Sequence, residues 1–163
     1  MGAPERLSWS TVERDADLED DFPGLRDGAY AITSPKDPTY NCVSWAVGDT
    51  KNFWDDIGVK GYYWPPGVPS ADSLAGWVAV FRLHGYAETD DDGFEPQDEK
   101  IAIYASANGV PQHVARQKSS GLWSSKMGKG NDIEHELRVI EGELYGEAVV
   151  IMRRPCAGKR VFE

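Results

Sequence analysis

The chain has 163 residues, 40% hydrophobic and 27% charged. This is the balance of a soluble globular protein, and the length suits a single domain with a proper core. Against 17 basic residues stand 27 acidic ones, a formal net charge of −10; that opposes phosphate backbones and anionic membrane surfaces, so no nucleic acid and no membrane is expected as partner, and a basic peptide or protein fits better. No apolar run approaches the ~20 residues of a membrane span, and residues 1–10 lack the basic start and apolar stretch of a secretory leader. The expected compartment is the cytoplasm, or that of an effector exported without such a signal.

In chain order, residues 1–28 read as a polar lead-in. Ser10-Thr11-Val12-Glu13 suggests a capping box for a short acidic helix that stops before Pro23-Gly24. Ala29 to Thr33 suits a brief extended segment, and Pro35 and Pro38 form a rigid approach to Tyr40-Asn41-Cys42-Val43-Ser44-Trp45-Ala46. Asn41 is a good N-cap, so a helix is expected from Cys42, its sulfur set among free backbone N–H groups that favour thiolate. The next feature, Tyr62-Tyr63-Trp64-Pro65-Pro66-Gly67-Val68-Pro69, is too rich in proline for regular structure and reads as an ordered aromatic loop. It either covers the core or walls a groove beside Cys42.

Leu74, Trp77, Val78 and Phe81 recur at helical spacing, with Ser70 or Asp72 as cap and Gly85 as stop. Glu88, Asp90, Asp92, Gly93 and Glu99 fall at positions 1, 3, 5, 6 and 12 of an EF-hand-like loop, but Glu88 and Glu95 break the motif and a strand follows. A solvated acidic loop is the expectation. From Lys100 the pattern turns to strands: Ile101 to Ala105, an Asn108-Gly109 hairpin turn, and a return strand over Gln112 to Gln117. Leu122 to Lys126 follows, then a Gly-rich loop from Met127 to Asn131. A helix capped by Asp132 is expected through His135 to about Ile140, then a buried strand over Ala148 to Met152; residues 154–163 read as a tail.

Two cysteines, Cys42 and Cys156, are too few for a disulfide framework, and no close ligand spacing suggests a metal. A Cys-first, His-later order suits a thiol hydrolase, with Cys42 as nucleophile and His113 as general base. The orienting third group is open among Ser125, Asn131 and His135, and the Cys42 N–H with Asn41 would supply oxyanion donors. No cofactor is called for. Asn41, Trp45, Tyr63, Trp64, Gln117 and Trp123 are the candidate substrate contacts.

The Tyr40-to-Ala46 helix start followed by the strand Gln112-His113-Val114-Ala115 resembles papain-like cysteine peptidases, and more nearly the compact bacterial amidases of the CHAP type. The resemblance implies an α+β, papain-like fold: an N-terminal helical part whose Cys helix packs on an antiparallel β-meander. It implies Cys42 as nucleophile and His113 as base. Ser125 or Lys126 stands where that family carries Glu, Asn or Asp. Tyr40-Asn41-Cys42, Tyr63 to Pro69, His113 with Gln117, Trp123 with Ser125, Lys126 and Gly128, and Ile133 with His135 are together similar to a group of uncharacterised bacterial domains, over about residues 40 to 155. The expected function is a cysteine hydrolase or acyltransferase acting on an amide or isopeptide bond through a Cys42 thioester. The alternatives are an inactive papain-like binding module and a protein-modifying effector of deamidase or transglutaminase type.

Overall fold

A computed structural model describes residues 14–34, 40–49, 51–55, 60, 62–127 and 131–156. The Ser10 capping box, the Pro35 and Pro38 approach, Gly128 and the chain beyond Cys156 lie outside the described residues. The elements are α1 (Ala16–Asp21), α2 (Gly24–Asp27), β1 (Tyr30–Ile32), α3 (Cys42–Ala46), β2 (Phe53–Trp54), β3 (Tyr62–Tyr63), α4 (Leu74–Leu83), β4 (Ala87–Thr89), β5 (Asp98–Ala105), β6 (Pro111–Gln117), β7 (Trp123–Lys126), β8 (Asp132–His135) and β9 (Glu147–Pro155). Among the described residues, no helix is long and apolar enough to cross a membrane.

Seven strands form one sheet in the order β1-β8-β7-β6-β5-β9-β4, every pair antiparallel, and β2 pairs with β3 separately. This overturns the α+β papain-like expectation. The N-terminal part is not a helical unit: α1 to α3 span only four to six residues each, and β1 joins the main sheet beside β8. The helix expected from Asp132 is also replaced. Ile133 and His135 alternate with Asp132 and Glu134, and that period of two is satisfied by pairing β8 between β1 and β7. The expected tail begins later than residue 154, because β9 runs through Pro155 against Asp98.

Other expectations match the chain's local chemistry. Gly109 takes a left-handed φ of 79° in the turn joining β5 to β6, where a residue without Cβ is least strained. α4 puts Trp77, Val80 and Phe81 into the core, although its cap is Ser73, whose hydroxyl accepts from the Gly76 N–H at 3.0 Å.

Two hydrophobic clusters cover the sheet's two faces. Ile101, Ile103, Val114 and Met152 pack with Cys42, Val43, Trp77 and Phe81 from α3 and α4. Ala102, Tyr104, Ala115, Trp123 and Ile133 pack with Phe22 and Leu25 beside α1 and α2. Alternation along each strand assigns the side chains to faces.

Candidate functional site

Cys42 opens α3 as expected. The Asn41 side chain accepts from the Ser44 N–H (3.0 Å) and the Ser44 hydroxyl accepts from the Asn41 N–H (2.7 Å), a reciprocal cap built with serine in place of the usual Glu or Gln. Asn41 is further tied to β2, donating to the Trp54 carbonyl and accepting from its N–H. The thiol is buried, and desolvation pushes it up to about 11; the N–H groups of Val114, Val43 and Cys42 and the charge of Lys126 act the other way. Burial therefore outweighs the helix start, and the expected resting thiolate gives way to a neutral thiol. Among the described residues, neither Cys42 nor Cys156 is in a disulfide.

The face opposite α3 carries His113, Ser125 and His135 joined in a chain. His135 Nδ1 lies 2.7 Å from the Glu136 carbonyl, His135 Nε2 lies 2.6 Å from Ser125 Oγ, and Ser125 Oγ lies 2.8 Å from His113 Nε2. Elementary donor counting fixes the direction. A carbonyl only accepts, so His135 carries its proton on Nδ1 and its Nε2 accepts from the Ser125 hydroxyl. Ser125 has one proton to give, so His113 Nε2 must donate to it. His113 Nδ1 is then a bare lone pair, and it is buried with no hydrogen-bond partner. Burial holds both imidazoles neutral: His135 falls to about 4, and His113 falls well below the ordinary histidine range, helped by the nearby His135. The Tyr145 ring stacks flat on His113, 4.1 Å between centroids and 1° between planes.

His113, Ser125 and His135 thus come together from three strands, whereas Cys42 belongs to the cluster on the other face. The link between them is the backbone of β6, since the Val114 N–H that acts on the Cys42 sulfur is the next residue along from His113. There β6 has already left β7, whose pairing with it is confined to Arg116↔Ser124 and Gln117↔Trp123. Asn131, the other candidate for the third position, donates to the Ser34 carbonyl instead.

The candidate substrate contacts divide. Trp45 is buried under the Arg116 guanidinium, 3.6 Å above its ring, and Arg116 donates to the Trp45 carbonyl at the end of α3. Trp64 donates to the Pro69 carbonyl and packs with Val68 on the Cys42 cluster, so the aromatic loop covers the core on that side. Tyr63 stays 43% exposed, edge-on to Trp54. Gln117 is buried and donates to the Asp92 and Gly121 carbonyls, and Trp123 lies opposite it on β7 and floors a cavity of about 580 Å³ with Asp27, Asp92 and Glu136. The acidic loop is no calcium cradle: the buried Lys100 ammonium fills it, donating to the Asp91 and Gly93 carbonyls and pairing with Glu95 at 2.7 Å, while Glu99 pairs with Arg154. Sequence reading missed Tyr145 and Arg116, and it named Lys126 and Asp132 without the places they take here. Tyr145 sits between Leu144 and Gly146 with no periodicity to mark it, and the other three are charged strand residues, Arg116 half-buried and Lys126 and Asp132 buried, where alternation predicts face but not partner.

Residues 31–153 match the model of a family described as Domain of unknown function (DUF7689). The chain belongs to that family. The match includes Cys42, Asn41, all three members of the His113–Ser125–His135 chain and Tyr145, which makes the site part of the DUF7689 domain rather than an appendage to it. No curated protein and no solved structure matches the chain, so no papain-like link stands beside the DUF7689 match.

Proposed function

We propose that this DUF7689 domain is a thiol acyl-transfer enzyme, a hydrolase or acyltransferase at amide or isopeptide bonds, with Cys42 as nucleophile and His113 as general base. The carrying observation is the directed chain from His113 through Ser125 to His135, which leaves His113 Nδ1 as a bare, buried base nitrogen. Both partners rest neutral and are not in hydrogen-bond contact, so the mechanism requires the sulfur proton to reach Nδ1 around the β6 backbone, through the gap where β6 has parted from β7, as the sulfur attacks the carbonyl carbon. The tetrahedral intermediate collapses when Nδ1 returns that proton to the leaving amine, and a thioester remains on Cys42. Water or an acceptor amine then gives its proton to Nδ1 and attacks the thioester carbon, and the departing sulfur takes that proton back from Nδ1, restoring the neutral pair. Protonation at Nδ1 leaves the Nε2–H bond to Ser125 intact, so Ser125 and His135 orient the ring throughout without rearranging. The Cys-then-His order that resembles papain-like peptidases supports the same roles as a likeness of motif. The acidic balance favours a basic peptide or protein substrate in the cytoplasm.

Incubation with a library of peptide amides, read by intact mass for an acyl adduct on Cys42, tests the assignment. The expected result is an adduct lost in Cys42→Ala and slowed at least ~100-fold in His113→Ala, the scale of a general base. A smaller loss, about tenfold, is expected in Ser125→Ala. Product masses separate cleavage, deamidation and transfer, which use the same residues.

A second reading, a binding module without chemistry, draws on the burial and raised pKa of Cys42. It predicts salt-sensitive affinity for basic peptides that Cys42→Ala leaves untouched.

A further inference from the structure

Between β8 and β9 the chain closes a small loop on itself. Gly142 and Gly146 each donate an N–H to the other's carbonyl, at 3.1 and 2.8 Å. Both have positive φ, 153° and 71°, and a Cβ on Gly146 would lie 1.9 Å from the Ala105 carbonyl oxygen. The base of the loop is fixed from outside, since the Glu141 carboxylate accepts from the Ala148 N–H and pairs with Arg138. Inside the pinch, Glu143 and Leu144 face solvent. Tyr145 turns inward, its ring flat on His113 and 4.6 Å from the ring of Phe22. Cavities of about 460 and 520 Å³ flank the loop, one lined by Asp20, Asp21 and Leu144, the other by Ala105, Ser106 and Val149. The loop therefore has glycine-hinged ends, open space on both sides and an aromatic plug.

We propose that Tyr145 is a positioning residue that holds and covers the His113 imidazole, carried on a 142–146 loop that lifts as a unit to admit substrate. The inference rests on the reading of His113 as the base. A fully buried base is useless to a substrate, and of the two rings that lie against it, Tyr104 belongs to the central strand β5 whereas Tyr145 stacks on it from the 142–146 loop. The stack also restricts rotation of the imidazole, keeping Nε2 on Ser125 and so keeping the lone pair on Nδ1.

The three histidines supply an internal comparison. Diethyl pyrocarbonate acylates accessible neutral imidazole, and mass spectrometry locates the label. His84 is half-buried, while His113 and His135 are fully buried, only His113 under the Tyr145 ring. In the unmodified chain the labelling of His113 is expected to be insensitive to low urea, as local opening is, while His135 is labelled only as urea promotes global unfolding. Tyr145→Ala is expected to speed His113 labelling at least tenfold relative to His135, and Tyr145→Phe, which keeps the stack, to stay within twofold of the parent. His113 and His135 reacting in step across the urea series in the unmodified chain would overturn the cover, and that series decides even where Tyr145→Ala fails to fold. Failure of the acyl-transfer reading looks different: no adduct forms on Cys42 while the histidine labelling pattern holds.

Discussion

At Cys42 two opposed effects act on one sulfur. Backbone N–H groups at the start of α3 and from Val114 favour thiolate, but removal from water favours thiol by more, and the balance lies at about 11. In the free protein, iodoacetamide is therefore expected to label Cys156, which is partly exposed, well before Cys42 at neutral pH, the Cys42 rate rising only toward pH 11. Peptide mapping of the labelled chain checks this; rapid labelling of Cys42 at pH 7 would mean an ion pair with His113. The histidines carry a linked effect on stability. Burial depresses the folded-state pKa of both, so between the unfolded value near ~6.5 and the folded one the unfolded chain binds more protons, and stability falls as pH falls. For His135, with a folded value of about 4, the loss between pH ~6.5 and 4 is on the order of 3 kcal/mol, and His113 adds to it in the same direction. Urea midpoints measured across that window should drop steadily; a flat profile would mean that both rings take up protons in the folded state as readily as in the unfolded chain.

At the scale of elements, the acidic loop between β4 and β5 is built around a cation the chain supplies itself. Lys100→Met would strip the donor from two carbonyls and from Glu95, which is exposed enough to turn to water, so the expected cost is about 1–3 kcal/mol in urea unfolding. Calcium should not raise the midpoint of the parent chain. This loop, the Asn41 cap and the Asn108-Gly109 hairpin were legible because each is local: a cap, a turn and a charge-rich loop are set by residues a few positions apart. β8 was not, because Asp132 is a good helix cap as well as a strand residue. The choice was made by β1, whose Tyr30 pairs with His135 from a hundred residues away. Alternation then decides which side chains meet. The two-residue steps from Ile133 to His135 and from Trp123 to Ser125 put both polar groups on the His113 face, and a helix through His135 would have dispersed them.

For the whole molecule, one seven-stranded sheet serves as the partition of the site. One face carries the short Cys42 helix beneath Trp64 and Val68, the other the imidazole chain beneath Tyr145, and β6 runs between them. The Cys-helix and His-strand order was readable from Cys42 and His113 alone, but the papain-like architecture inferred from it was not sound. A motif of two residues fixes neither the number of strands nor the element that covers each face. The measurement that tests the pairing of Cys42 with His113 most directly is the ¹⁵N spectrum of the histidine rings, compared between the parent chain and Cys42→Ala. A neutral His113 protonated at Nε2 is predicted near pH 7, with its Nδ1 resonance moving when the sulfur is removed and His135 Nδ1 staying in place. A His113 protonated at Nδ1, or an Nδ1 resonance indifferent to the loss of the sulfur, would contradict it.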